Sequence, residues 1–110
     1  MKVYLESQHA IRLRLSQDEF QRICQGSCLD EKFELWGASE IHISLCADAT
    51  LAPETRVLAS HPTPLSASLR VHPDVLDILS TPSKRGHTFR IVSDDGGAWS
   101  LALEVDLKKV

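Results

Sequence analysis

The sequence has no long apolar run, little cysteine, few aromatic residues and no excess of positive charge. No apolar segment approaches the roughly 18 to 20 residues that cross a bilayer as a helix. The opening Met1-Lys2-Val3-Tyr4 does not lead into the apolar core of a signal peptide. The formal net charge of −3 gives no attraction to nucleic acid or anionic lipid, because both bind proteins with a basic excess. We therefore expect a cytoplasmic protein with no nucleic-acid partner and no membrane partner.

The three cysteines are Cys24, Cys28 and Cys46. An odd number in a chain without a secretion signal argues against a disulfide framework, so we expect reduced thiols that pack. Gly26 should end a helix between Cys24 and Cys28, and no cluster of cysteine and histidine has the spacing of a zinc site. The sequence therefore predicts no metal and no cofactor.

An internal repeat is the most informative feature that the sequence does contain. Leu13-Arg14-Leu15 corresponds to Leu69-Arg70-Val71, and Phe33-Glu34-Leu35 corresponds to Phe89-Arg90-Ile91, both at an offset of 56 residues. The offset becomes 58 beyond the last glycine-rich turn. It keeps apolar positions in register through a strand, a helix and a second strand, which chance seldom does. The chain therefore resembles one unit written twice.

Each unit is predicted to run strand, strand, helix, strand, strand. Apolar and polar residues alternate with a period of two along the predicted strands. Ser16 and Glu19 form a capping box before a helix over about residues 17–25. Pro73 opens the second helix, and Ser80-Thr81-Pro82 closes it.

These elements predict a single α+β domain of 110 residues, with repeat halves 1–46 and 56–107 joined by a linker over 47–55. A half of this size rarely folds alone. We therefore expect the internally duplicated ββαββ units to form two packed, mainly antiparallel sheets, or an open barrel, with two short helices. The predicted core residues are Val3, Leu5, Ile11, Leu13, Leu15, Phe33, Ile41, Ile43, Leu69, Phe89, Ile91, Trp99, Leu101, Leu103 and Val105.

The two ends of the chain carry recognisable motifs. Met1-Lys2-Val3 is followed by Ile11-Arg12-Leu13-Arg14-Leu15-Ser16, and the chain closes with Leu101-Ala102-Leu103-Glu104-Val105-Asp106-Leu107. These segments resemble an uncharacterised family of small bacterial proteins with an Ile-Arg-Leu-Arg-Leu-Ser/Thr motif near the start and a Leu-Val-Glu-Lys-Asp-Phe ending. Val105 replaces the lysine of that ending. The motifs carry no known chemistry, so the resemblance implies no activity.

Charged residues are predicted on the strand face opposite the core. The candidate ligand-binding residues are Arg12, Arg14, Arg70, Arg90, Glu104 and Asp106. On a solvated face they would form cross-strand ion pairs, each worth about 0.2 to 1 kcal/mol. If the sheets curl so that these residues face inward, the arginines would bind phosphate or carboxylate while Glu104 and Asp106 held a cation. The sequence leaves both interpretations open and favours the solvated face.

No catalytic residues are predicted, because the sequence lacks both Gly-x-Ser-x-Gly and a glycine-rich phosphate loop. This favours a small non-enzymatic binding or interaction protein. Trp36 is predicted at a hairpin tip, where it either folds onto the core or contacts a partner. We expect a protein partner or a homodimer, bound through a sheet edge or the Trp36 turn. The alternative is a small-anion or phosphate-ligand binder or hydrolase that uses the charged sheet face.

Overall fold

The order strand-strand-helix-strand-strand occurs twice in the computed structural model, which describes residues 1–7, 9–35, 39–63, 66–81, 86–93 and 99–106. The first set is β1 (Lys2–Ser7), β2 (Ala10–Leu15), α1 (Gln17–Cys24), β3 (Leu29–Leu35) and β4 (Ser39–Ala47). The second set is β5 (Val57–Thr63), β6 (Ser66–Val71), α2 (Pro73–Leu79), β7 (His87–Ser93) and β8 (Trp99–Val105). Neither helix is long and apolar enough to cross a membrane, within the part of the chain that the structure describes.

All eight strands belong to one mixed sheet, in the order β1-β2-β8-β7-β5-β6-β4-β3. Each sequential hairpin is antiparallel, whereas the β2–β8, β4–β6 and β5–β7 pairs are parallel. The sheet curls into a half-barrel. The prediction of two packed, mainly antiparallel sheets is therefore wrong. The prediction fails because strands of one half pair edge to edge with strands of the other, so the two halves share one sheet.

The inner face of the half-barrel forms the hydrophobic core. The buried apolar residues are Leu13, Leu15, Ile23, Leu29, Ile43, Leu45, Val57, Ala59, Leu69, Val71, Val75, Leu79, Phe89, Ile91, Leu101 and Leu103. Leu5 was predicted in this core but is 71% exposed, because β1 is an edge strand with a neighbour on one side only. The side chain of Phe33, another predicted core residue, lies outside the described part of the structure.

The helices and the hairpins lie at opposite ends of the half-barrel. β2 and β6 each run directly into a helix, which defines the helix end, and the strands of each hairpin turn back at the hairpin end. At the start of α1 the Ser16 hydroxyl accepts the Glu19 N–H, and the Glu19 carboxylate accepts the Ser16 N–H at 2.9 Å. The predicted capping box is confirmed. His72 caps α2 at the equivalent position, with Nδ1 accepting the Asp74 N–H at 3.1 Å.

Cys28 and Cys46 form a disulfide, with their Cα atoms 4.5 Å apart. The register pairs Leu29 of β3 with Leu45 of β4, so the two cysteines face each other across the hairpin. Cys24 is a free, exposed cysteine. The expectation of three reduced thiols is therefore wrong, because spacing along the chain does not reveal which residues face each other across strands.

The strand order has a two-fold pattern that leaves one pairing unmade. Exchanging β1 with β5, β2 with β6, β3 with β7 and β4 with β8 converts six of the seven ladders into one another. The seventh is the parallel β5–β7 ladder, and its equivalent would pair β1 with β3. No such pairing forms between the described residues, so the half-barrel is open between β1 and β3. We call this opening the seam.

Candidate functional site

Four of the six charged candidates gather on the outer face of β2 and β8, and we call them, with Glu6, the charged cluster. Arg12 Nε lies 2.7 Å from Glu6 Oε1, and Arg12 Nη1 lies 3.6 Å from Glu104 Oε2. Arg14 Nε lies 3.6 Å from Glu104 Oε1 and also pairs with Asp106. The charged cluster therefore contains its own counterions, with three carboxylates around two guanidinium groups.

The arginines of the charged cluster have further contacts that fix them. The Arg12 guanidinium lies 4.4 Å from the centre of the Tyr4 ring, a cation–π contact on the outer face of β1. The hydrogen bond and the charge of Asp106 raise the pKa of Arg14 above its usual value. No three acids, histidines or cysteines gather as metal ligands would among the described residues. The cluster is thus an ion-pair network on the convex side of the sheet.

Arg70 lies four strands away from Arg14 and has its own partner. Its Nη1 is 3.3 Å from Asp48 Oδ2, in the position equivalent to the Arg14–Asp106 pair. Asp48 and Asp106 each follow the strand that runs parallel to the arginine's strand. Each also donates its backbone N–H to the last carbonyl of the arginine's own strand, Asp48 to Val71 and Asp106 to Leu15, at 2.8 Å in both cases. The repeated arginine therefore belongs to a corner that both halves build in the same way.

Arg90, the last of the charged candidates, does not join the charged cluster. Arg90 is exposed on β7, where the register places it opposite Ser100, and it lines a shallow hollow with Trp99 and His9. Trp36 lies outside the described residues. The structure therefore brings together Arg12, Arg14, Glu104 and Asp106 and leaves Arg70 and Arg90 apart.

A hollow of about 140 Å³, lined by both apolar and polar side chains, lies at the helix end between α1, the end of α2, and strands β7 and β8. Apolar Phe20 and Leu79 line it together with Gln17, His87 and Glu104. The His87 Nε2 atom is buried and has no hydrogen-bond partner among the residues that the structure describes. Glu104 also belongs to the charged cluster, so the hollow and the cluster share one carboxylate.

The two strands that border the seam present different edges. β3 has charged residues at four of its seven positions, including Glu31, which alternates with Leu29 on the inward-facing side. Charges of this kind protect an edge strand from pairing with other chains. β1 instead carries Val3, Tyr4 and the exposed Leu5 between charged ends. The edge of β1 is therefore the less protected of the two.

The two edges approach each other at the helix end. The Met1 ammonium lies 3.5 Å from Glu31 Oε2 and also contacts the Glu19 carboxylate. Leu5 lies toward the hairpin end of β1, and it is one of two large apolar side chains that are exposed in the described ranges. The apolar part of the β1 edge is thus the part farthest from this contact.

Comparisons of the chain with known protein families, with curated proteins and with solved structures find no match. The resemblance of the two ends of the chain to a small bacterial family therefore stays a prediction. The site is interpreted from its own geometry.

Sequence reasoning missed that β1 and β3 are edge strands. One signal for β3 was present, because Glu31 occupies a position where the alternation with Leu29 predicts an apolar residue. The alternation of Val3 and Leu5 carries no such signal, because it is equally typical of a central strand.

Proposed function

We propose that this chain is a small non-enzymatic binding protein, and that it binds a second copy of itself through the edge of β1. The observation that carries the proposal is an edge strand, with no strand on its outer side among the described residues and with a large exposed apolar residue, Leu5, next to the seam. Unpaired N–H and C=O groups on such an edge are a ready template for another strand.

The sequence of β1 is complementary to itself when two copies run antiparallel. A two-fold axis through Tyr4 keeps the inner faces of both sheets on the same side, as the period of two requires. Lys2 then faces Glu6 of the partner subunit, and Val3 faces Leu5 of the partner subunit. Each half of the interface thus gains one ion pair and covers one exposed leucine, with opposite charges directly opposed.

The test is a charge swap on β1. We expect the wild-type chain to sediment as a dimer and Lys2→Glu to weaken the dimer about tenfold, because two facing pairs become repulsive at once. The double variant Lys2→Glu/Glu6→Lys should restore the dimer in part, since it restores opposite charges across the interface but removes the Arg12–Glu6 pair within each chain. The matched control is Lys32→Glu, the same change on exposed β3.

Two results would reject self-association through β1. One is a chain that stays monomeric at all concentrations in sedimentation equilibrium, which would leave a different protein as the partner. The other is a control variant on β3 that weakens the dimer as much as Lys2→Glu does.

The anion-binding or hydrolytic alternative has less support. Its arginines in the charged cluster are already paired with Glu6, Glu104 and Asp106, so an anion would have to displace a carboxylate that is tied to the same sheet. Isothermal titration with inorganic phosphate would measure this directly, and saturable binding lost in Arg14→Gln would favour the alternative.

We also propose a cytoplasmic location, on the basis of composition and charge. The disulfide between Cys28 and Cys46 argues against this part of the proposal, because such bonds persist mainly in oxidising compartments. Thiol trapping of fractionated cells decides the question, since it reports both where the protein is and whether the bond is formed there.

A further inference from the structure

The hairpin end of the half-barrel contains a cavity of about 160 Å³. Its lining comes from seven of the eight strands and consists of apolar side chains. Among the larger side chains that line the cavity, three are buried, namely Ile43, Leu69 and Ile91. Trp99 is half-buried and Leu5 is exposed. The cavity therefore reaches from the core to solvent beside β1.

Two alanines in the second half provide the space. Ala59 and Ala67 line the cavity, and the repeat places them at the positions that Val3 and Ile11 occupy in the first half. Protein interiors are packed densely, so an inward position that loses two or three carbon atoms leaves room unless a neighbour fills it. The first half carries the larger residue at both positions, and the cavity is consequently a feature in which the two halves differ.

We propose that this cavity is a binding site for a compact, uncharged apolar group, either an aromatic ring or a short alkyl chain. Among the residues that the structure describes, all the side chains that line the cavity are apolar or aromatic, so a charged group inside it would lose its water without a partner. A dry cavity of about 150 Å³ lined by leucine, isoleucine and phenylalanine binds benzene, which sets the size of the group at about six to eight non-hydrogen atoms. Trp99 offers a ring for edge or face contacts with an aromatic ligand.

The opening beside Leu5 defines the rest of the ligand. A molecule larger than the cavity would leave its remaining atoms in solvent at the hairpin end, where a polar group keeps its hydration. Mouths of β-barrels are common places for such ligands. The cavity thus selects for the apolar end of a molecule rather than for the whole of it.

The experiment is a titration of the methyl-labelled protein by nuclear magnetic resonance, with toluene and 1-hexanol as probes and glycerol as the polar control. We expect saturable shifts of the Ile43 and Ile91 methyl signals with at least one apolar probe and none with glycerol. The methyl signals of Ile23, which is buried in α1 at the helix end, should not shift. Absence of saturable shifts with both apolar probes would overturn the proposal.

Two variants distinguish binding of the probes inside the cavity from their nonspecific association with the protein. Ala67→Ile places the first half's own residue in the cavity and should weaken binding at least about tenfold by occupying the space. Ala102→Ile adds the same atoms on the outer face of β8, between the buried Leu101 and Leu103, and should leave binding unchanged. Should Ala67→Ile not fold, Ala59→Val carries the same test.

Binding that survives a folded cavity-filling variant, or that Ala102→Ile weakens equally, would reject the site. Neither Ala59 nor Ala67 lies on β1, so a failure here leaves the dimer test unaffected.

Discussion

The strands that begin each hairpin have the same place in the repeat and opposite surroundings. They are β1 and β3 in the first half and β5 and β7 in the second. β5 and β7 pair with each other in the middle of the sheet, whereas β1 and β3 are its two edges. The first half carries compensating features at its edges, namely a disulfide that joins the β3–β4 hairpin and a row of charges along β3. A duplicated unit thus repeats its topology without repeating its exposure, and among the described strands only the first half has edges that another chain could extend.

Proline substitutions at equivalent positions should show the largest difference between the halves. Leu58→Pro and Ala59→Pro both remove an N–H from a strand that is paired on both sides, so we expect each to destabilise by about 3 kcal/mol or more. Their equivalents are Lys2→Pro and Val3→Pro on β1, where N–H groups alternate between β2 and the open edge. At least one of these two should cost about 1 kcal/mol or less.

Urea denaturation followed by circular dichroism measures all four proline variants, at a protein concentration low enough to keep the chain monomeric, because the proposed dimer would pair the outer edge of β1. Equal destabilisation at both pairs of positions would mean that β1 is paired on its outer side as well, and would contradict an open seam in the isolated chain.

Removing the disulfide should have the next largest effect, and it should act on one half only. The bond closes a loop with a sequence separation of 18 residues, for which loop entropy predicts about 3 kcal/mol of stabilisation. We expect the double variant Cys28→Ala/Cys46→Ala to lose this amount and to show faster amide exchange in β3 and β4 than in β7 and β8. In the second half β7 is paired on both sides, with β8 and β5, and its hairpin does not contain the bond, so that hairpin should change little.

Cys24→Ala is the control for the disulfide variant. Partial burial, and then the charge of Asp77, raise the pKa of the Cys24 thiol, so it is protonated at neutral pH and a poor partner for disulfide exchange. A loss of stability in this variant as large as in the double variant would show that packing of small side chains, and not the bond, is what the measurement reports.

The helices could be predicted from the sequence because their signals are local. The helix expected over residues 17–25 is observed at Gln17–Cys24, and the second begins at Pro73 as expected. Capping residues and an apolar stripe act within a few residues of chain. Strand pairing has no such signal, since the parallel ladders between the halves join residues that are far apart in sequence.

The candidate site shows the same limit. Arg14 and Arg70 could be recognised as equivalent from the repeat, but their partners Asp106 and Asp48 follow strands whose neighbours were unknown. The cavity could not be predicted from the sequence for the same reason, because alanine in a strand does not indicate empty space until the facing residues are known.

The two arginine–aspartate corners should give the smallest difference, and acid should remove it. The Asp48 carboxylate accepts the Thr50 hydroxyl at 2.5 Å and the Thr50 N–H at 2.9 Å, and these bonds, followed by Arg70, hold the pKa of Asp48 below its usual value. A lowered pKa means stability that is present above the unfolded pKa, near 4, and lost as the pH falls through the folded value. We therefore expect Asp48→Asn to destabilise the protein more than Asp106→Asn at neutral pH, and the two variants to converge as the pH falls through the lowered pKa of Asp48. Urea midpoints at a series of pH values test this. A gap between the variants that persists in acid would show that the Thr50 bonds act through geometry, which asparagine changes little, rather than through the charge of Asp48.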